Sequence, residues 1–336
     1  MSRTAVAAVV VIAAATYVTG WLRLANRAAR PPRPWRLGAA MGALAAISVA
    51  LASPLDALAH ERFTAHMVQH LLLLTVVAPL ALLADPFSVV LWALPAAARS
   101  ALRPHFARGG VLRRLLVTLT APPTAWLTFA GTVWFWHLPA PYEGALADDF
   151  VHGLEHVTFV LAALVFWWPL LDAGPRVRRP PRPAAAIVYV VLAAFQTSAL
   201  GLALALAPSV LYPSYATLGA DALKDQSWGG IIMWSVSGLV DMAVVLALVW
   251  RFLAAEERRP VEPAVVVGQF GLGTGSSCEP DEARGSQRRE AYSLYVERRW
   301  RPSNVVVRAE SVPAVRGERR RGASRSGEMI GDRGKR

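Results

Sequence analysis

The sequence predicts an all-α fold: a polytopic membrane helix bundle of about seven transmembrane helices, followed by a disordered C-terminal tail. Three observations carry this reading. Long apolar runs separated by short loops fill the chain up to about Leu253. Runs of that length bury their own backbone polar groups only as helices. The loops alternate sharply in arginine content, as the connections of a membrane protein do. From Glu256 onward the composition turns polar and Arg-rich, with Gly, Ser, Glu and Pro and no sustained period. We therefore divide the chain into a transmembrane domain, 1–255, and a soluble tail, 256–336, that lacks the apolar content to order itself.

The first run is 5–22. Arg3 before an Ala/Val-rich core also fits a signal peptide. The segment after it is rich in arginine and offers no clear cleavage site, so a span is preferred. The second run is 37–52, and the third, 67–84, is stopped by Asp85-Pro86. The stretch 87–98 holds Pro95 and is too short to cross, which makes it interfacial or re-entrant. The fourth run is 115–136, with Pro122-Pro123 in its first half; 150–171, 184–207 and 229–253 complete the count of seven.

Loop charge sets the orientation. Arg23, Arg27, Arg30, Arg33 and Arg36 lie between spans one and two. Arg99, Arg103, Arg108, Arg113 and Arg114 lie between three and four, and Arg176, Arg178, Arg179 and Arg182 between five and six. The other loops carry Asp56, His60, Glu61 and Arg62, then Glu143, Asp148 and Asp149, then Asp221, Lys224 and Asp225. The arginine-rich loops are cytoplasmic by the positive-inside rule. The expected protein is thus a multi-pass component of the bacterial plasma membrane, with its N-terminus outside and its tail in the cytoplasm.

On this topology the histidines are not scattered. His66 and His70 stand four apart where span three begins, and His152 and His156 repeat the device where span five begins. His137 closes span four in Trp136-His137-Leu138-Pro139, and His60 sits in the same outer layer. Only His105 falls on the cytoplasmic side. Residues four apart share a helix face, so each pair can present two imidazoles to one ion. Neutral imidazole binds copper, zinc, iron and nickel, and the thioethers of Met67 and Met233 would favour Cu(I). Ionisable groups at a bilayer are costly and default to function. A single histidine there is more often an amphipathic boundary residue; two spaced pairs plus His137 in one layer favour a metal site. Glu155 reads equally as a carboxylate that orients an imidazole or as an acid placed favourably near a helix N-terminus. Asp225 is either an accessory to the outer site or a polar loop residue. Asp241, deeper in span seven, needs a partner, for which Gln196 is a candidate. The tryptophans, Trp167 among them, fit an interfacial belt.

Several function classes are excluded or disfavoured. The formal net charge of +12 is explained by short cytoplasmic loops, the tail and contact with anionic lipid of the bilayer, so no nucleic-acid partner is expected. The single cysteine, Cys278 in the tail, allows neither an intrachain disulfide nor a Cys-x-x-Cys metal site. Phosphate-binding glycine loops and Ser-His-Asp arrangements are absent from the sequence, and the chain does not read as an enzyme.

Taken together, the motifs are familiar. His66-Met67-Val68-Gln69-His70 with Ala78-Pro79-Leu80 resembles the CtaG-type family of cytochrome c oxidase assembly factors. So do Trp136-His137-Leu138-Pro139 with Pro141-Tyr142, Val151 to His156 with Phe166-Trp167-Trp168-Pro169, and Asp225-Gln226 followed by Gly229-Gly230 and Met233-Trp234. The resemblance runs from about Leu51 to Arg251 and leaves out the tail. It implies a bacterial polytopic membrane protein needed to make active haem–copper oxidase, working with oxidase subunits and with copper. An unrelated single-span, cysteine-bearing copper chaperone shares the name and is not what this chain resembles. Two rival functions stay open: a membrane redox protein holding haem between two histidines, and a metal-free scaffold for oxidase assembly.

Overall fold

The structure, a computed structural model, describes residues 3–27, 31–107, 109–171, 174–175 and 177–257. Among these, all regular structure is helical. The elements in order are α1 (Arg3–Arg27), α2 (Pro34–Ala52), α3 (Pro54–Glu61), α4 (Phe63–Leu71), a π-helical turn (Leu72–Val77), α5 (Ala78–Leu83), α6 (Pro86–Ala93) and α7 (Ala96–Phe106). There follow α8 (Val111–Leu119), α9 (Pro122–Trp136), α10 (Pro139–Ala147), α11 (Asp149–Leu171), α12 (Pro183–Ala205), a 3-10 segment (Pro213–Asp221) and α13 (Ala222–Glu257). The reading of the tail concerns residues that lie, beyond Glu257, outside the described ones.

Six helical segments are long and apolar enough to cross a membrane: Arg3–Arg27, Pro34–Ala52, Phe63–Leu83, Asp149–Leu171, Pro183–Ala205 and Pro213–Glu257. Phe150, Phe195, Leu239 and Trp250 on these segments are exposed, as lipid-facing side chains are. The fourth expected span differs. Pro122 holds Ala121 in extended backbone, because the ring excludes the helical region for the residue before it. The run therefore splits into α8 and α9. The 15 residues of α9 reach about 22 Å, short of a hydrocarbon core of about 30 Å. The fourth crossing that the loop charges call for therefore takes α8 and α9 in series, from Val117 beside Arg178 to His137 beside His70. The stretch after Asp85-Pro86 becomes two short helices, α6 and α7, and α6 packs on α1.

A break of another kind follows His70. Leu72–Val77 is π-helical, and the Ala78 N–H returns to the Leu73 carbonyl, one residue further back than in an α-helix. Pro79, next in line, has no N–H to offer Leu74. The Trp167 indole supplies it, donating to the Leu74 carbonyl at 3.0 Å. Trp167 is thus a buried strut between α11 and span three, not a belt residue. The proline is the physical cause: it removes a donor from the helix interior, and a π turn with an outside donor repairs the loss.

Close approach of α12, α13 and α4 is set by small residues. A Cβ on Gly230 would stand 2.6 Å from both the Ala205 nitrogen and the Gly201 carbonyl oxygen. A Cβ on Gly229 would collide with the Phe63 ring. Glycine lets the backbones meet as small residues do in membrane helix pairs. At one end of the bundle α3 packs on α4, α10 on α11, and the 3-10 segment on α13 and α10. At the other end Arg36 pairs with Asp85 at 2.7 Å.

Candidate metal centre

Helix geometry brings each histidine pair to one face. In α4 the rings of His66 and His70 are 4.3 Å apart, and in α11 those of His152 and His156 are also 4.3 Å apart. The two helices face each other through these pairs: His66 lies 5.1 Å from His152, and His70 lies 5.6 Å from His156. His137, just past the end of α9, is 6.3 Å from His70. All five predicted histidines therefore share one place. His60 is exposed in α3 but lies edge-on to His152 at 4.8 Å.

Glu155 is at the centre of this group. One carboxylate oxygen is 3.5 Å from His66 Nε2 and the other 3.5 Å from His70 Nε2. Charge-assisted hydrogen bonds run to about 2.7–2.9 Å. Two donors each about 2.0–2.1 Å from one tetrahedral ion stand about 3.3–3.4 Å apart. The observed spacing is closer to the second. Glu155 and His66 have no solvent exposure, and the other four histidines stay at or below 7%. These are buried side chains, not amphipathic boundary residues with solvated tips. Side chains from three short elements close on the group: His60 of α3 is 4.8 Å from His152, Tyr142 of α10 is 5.0 Å from His66, and Tyr215 of the 3-10 segment is bonded to His66, a closure that short connecting segments in a sequence do not announce.

Burial makes the polar count informative. Twelve buried side-chain nitrogens and oxygens among the described residues have no hydrogen-bond partner, and eight belong to this cluster. They are both Glu155 oxygens, both His70 nitrogens, and Nε2 of His66, His137, His152 and His156. An unmet buried polar group costs roughly 1–3 kcal/mol, so this concentration is expensive for a merely structural core. Two overlapping groups have donors within 4.8 Å of one another: His66, His70 and Glu155, and His152, Glu155 and His156.

Tautomers are fixed from outside. His137 Nδ1 is 2.7 Å from the Val133 carbonyl; a carbonyl only accepts, so Nδ1 carries the proton and Nε2 the lone pair. Tyr215 donates its one hydroxyl proton to the Ala59 carbonyl at 2.9 Å. It then accepts from His66 Nδ1 at 3.3 Å, which again leaves the lone pair on Nε2. Such bonds orient imidazoles toward metals. Burial pushes His137 down to about 4, against the pull of its Val133 bond, so the ring is neutral and able to ligate near pH 7. An aromatic wall made by Phe63, Tyr142, Tyr212 and Tyr215 closes this side, with Tyr142 and Tyr212 stacked at 4.0 Å. The tyrosines were not singled out as site residues from sequence; Tyr212 and Tyr215 beside Pro213 in an outer loop were the available signal.

The accessory candidates fall in different places. Met67 and Met233 line a small cavity of about 40 Å³ with His70, His137 and Asp241. Asp225 is not in the cluster. It lies in the first turn of α13, which starts seven residues before the predicted span, and it accepts from the Thr64 hydroxyl at 2.7 Å and the Thr64 N–H at 3.3 Å. It positions α4 two residues ahead of His66. Gln196 bonds Trp134 and Thr197. A second cavity, about 310 Å³, lies beside the α11 pair, lined by Asp56, His60, Asp149, His152 and His156 and by apolar residues such as Val6 of α1, Ile47 of α2 and Val160 of α11.

The donor set of five imidazoles, one carboxylate and two nearby thioethers fits a first-row transition metal. It does not fit an axially ligated haem. Rings 4.3 to 5.6 Å apart around a central carboxylate leave no slot for a flat macrocycle between opposing imidazoles.

The model of one protein family, cytochrome c oxidase caa3 assembly factor (Caa3_CtaG), matches residues 15–255. The chain belongs to this family. No curated protein and no solved structure matches it. The Caa3_CtaG match spans every residue of the cluster and stops where the tail begins. Membership indicates an assembly factor for cytochrome c oxidase, embedded in a membrane and associated with the oxidase, and it suggests a non-enzymatic role.

Proposed function

We propose that this Caa3_CtaG protein binds copper as cargo in the buried histidine–glutamate cluster and passes it to a cytochrome c oxidase subunit during assembly. The observation that supports this most is that eight of the twelve buried, unpartnered side-chain polar atoms among the described residues belong to these five histidines and Glu155. Histidine lone pairs are aimed inward by Val133 and Tyr215, and Glu155 supplies the negative charge that a buried cation requires. Imidazole and carboxylate, without a thiolate, bind copper firmly yet less tightly than a cysteine cage, which suits a carrier. The arginine-rich loops favour placing the cluster at the outer face of the plasma membrane, with the N-terminus outside and the tail inside.

Metal analysis of the purified full chain tests this. After incubation with copper and removal of excess, the parent should retain it and His70→Ala should lose most of it. His105→Ala, in α7 at the opposite end, should match the parent. Equal metal-free behaviour of all three would reject copper handling and leave a scaffold role.

A further inference from the structure

Resting on the copper-binding reading, we infer that the cluster is a two-ion site in which the Glu155 carboxylate is shared between two metal positions. Two donor groups meet at this residue, one completed by His66 and His70 from α4 and the other by His152 and His156 from Glu155's own helix. Glu155 is the only acid among the cluster's unpartnered atoms, and both of its oxygens are without a hydrogen-bond partner.

The number of donors argues for two ions. Each of the five imidazoles has at least one ring nitrogen, and Glu155 both carboxylate oxygens, buried without a hydrogen-bond partner. A four-coordinate ion takes four of them, which strands at least three buried polar atoms. Two ions with a common carboxylate use all seven. His137, its ring 6.3 Å from that of His70, is the next imidazole available to the α4 position, while His152 and His156 of the α11 position line the 310 Å³ cavity. The arrangement gives the two positions different surroundings: one walled by Phe63, Tyr142 and Tyr215, the other beside the cavity that His60 also lines. Two cations so close repel each other, and a bridging carboxylate is the group that offsets this.

The test is metal stoichiometry with Cu(II) alone as the probe, on the full chain in detergent after removal of excess metal. The expected parent ratio is two copper ions per chain, with an electron paramagnetic resonance signal broadened by coupling between them. Glu155→Gln should fall to one ion or fewer and lose the coupling. The double variant His152→Ala/His156→Ala keeps Glu155 and the α4 pair; it should hold one ion with an uncoupled signal. That variant decides the matter if Glu155→Gln does not fold. A parent ratio of one, abolished by His70→Ala, would overturn the two-ion site while leaving copper binding intact. Two uncoupled ions in both the parent and Glu155→Gln would overturn the sharing. A ratio of zero in the parent would overturn both the inference and the copper reading beneath it.

Discussion

Asp225 holds Thr64 through its side chain, accepting from the Thr64 hydroxyl at 2.7 Å and from its backbone N–H at 3.3 Å. The contact joins the first turn of α13 to the first turn of α4, where the N–H groups of a helix start lack partners of their own. It fixes the rotation of α4, and with it the direction in which His66 and His70 point. Asp225→Ala should destabilise the fold by about 1–3 kcal/mol and weaken copper retention only through displacement of α4. Thr64→Val should behave alike, and the double variant should cost less than the sum of the two singles. Thermal unfolding in detergent reads this; additive effects would show that the two residues act independently.

The glycine contacts give a second prediction. Gly230→Ala drives a methyl into the Ala205 and Gly201 backbone, and overpacking of this kind costs roughly 1–3 kcal/mol. Gly238, in the same helix, has nothing within 4 Å of an added Cβ. Gly238→Ala should be neutral or stabilising by up to about 1 kcal/mol through helix propensity. Equal unfolding temperatures for the two variants would contradict the packing of α12 against α13.

Much of this was legible in the sequence, for reasons that can be named. The apolar runs marked five of the long helices to within about five residues, since a membrane span is specified by composition over about 20 positions; α13 begins seven residues before its run, in the polar turn that holds Asp225. The spacing of His66 with His70 and of His152 with His156 placed each pair on one face. Pro122-Pro123 is visible in the fourth run, but proline is tolerated at the start of a helix, and it is the extended backbone of Ala121 that divides the run. The π turn was hidden because it depends on Trp167 arriving from another helix to satisfy Leu74. The closure on the cluster was hidden too. Helices as short as α3, of 8 residues, or α10, of 9, leave little periodicity to read, and their burial of Tyr142 is a tertiary fact. Glu155 could be read either way from sequence; only the facing of α4 and α11 puts it between both pairs.

The 310 Å³ cavity makes a kinetic prediction. His60 is exposed, with its ring 4.8 Å from that of His152, and Asp56 and Asp149 line the same cavity. His60→Ala should slow copper loading severalfold and leave the final metal content unchanged. Loading time courses at limiting copper measure this; a loss of content with an unchanged rate would place His60 among the ligands instead.

The arginine-rich loops predict the orientation. A reporter fused after Arg251 should respond as a cytoplasmic one, and a reporter active only on export should be silent there. Activity of the exported reporter would put the histidine cluster on the inner face.

The most direct measurement is the copper content of the assembled oxidase in cells that carry His70→Ala or Glu155→Gln in place of the parent. The oxidase polypeptides should still be present while their copper and activity fall severalfold, and His105→Ala should leave both at the parental level. Full copper occupancy and activity in the His70→Ala and Glu155→Gln strains would contradict the claim that this cluster supplies the oxidase.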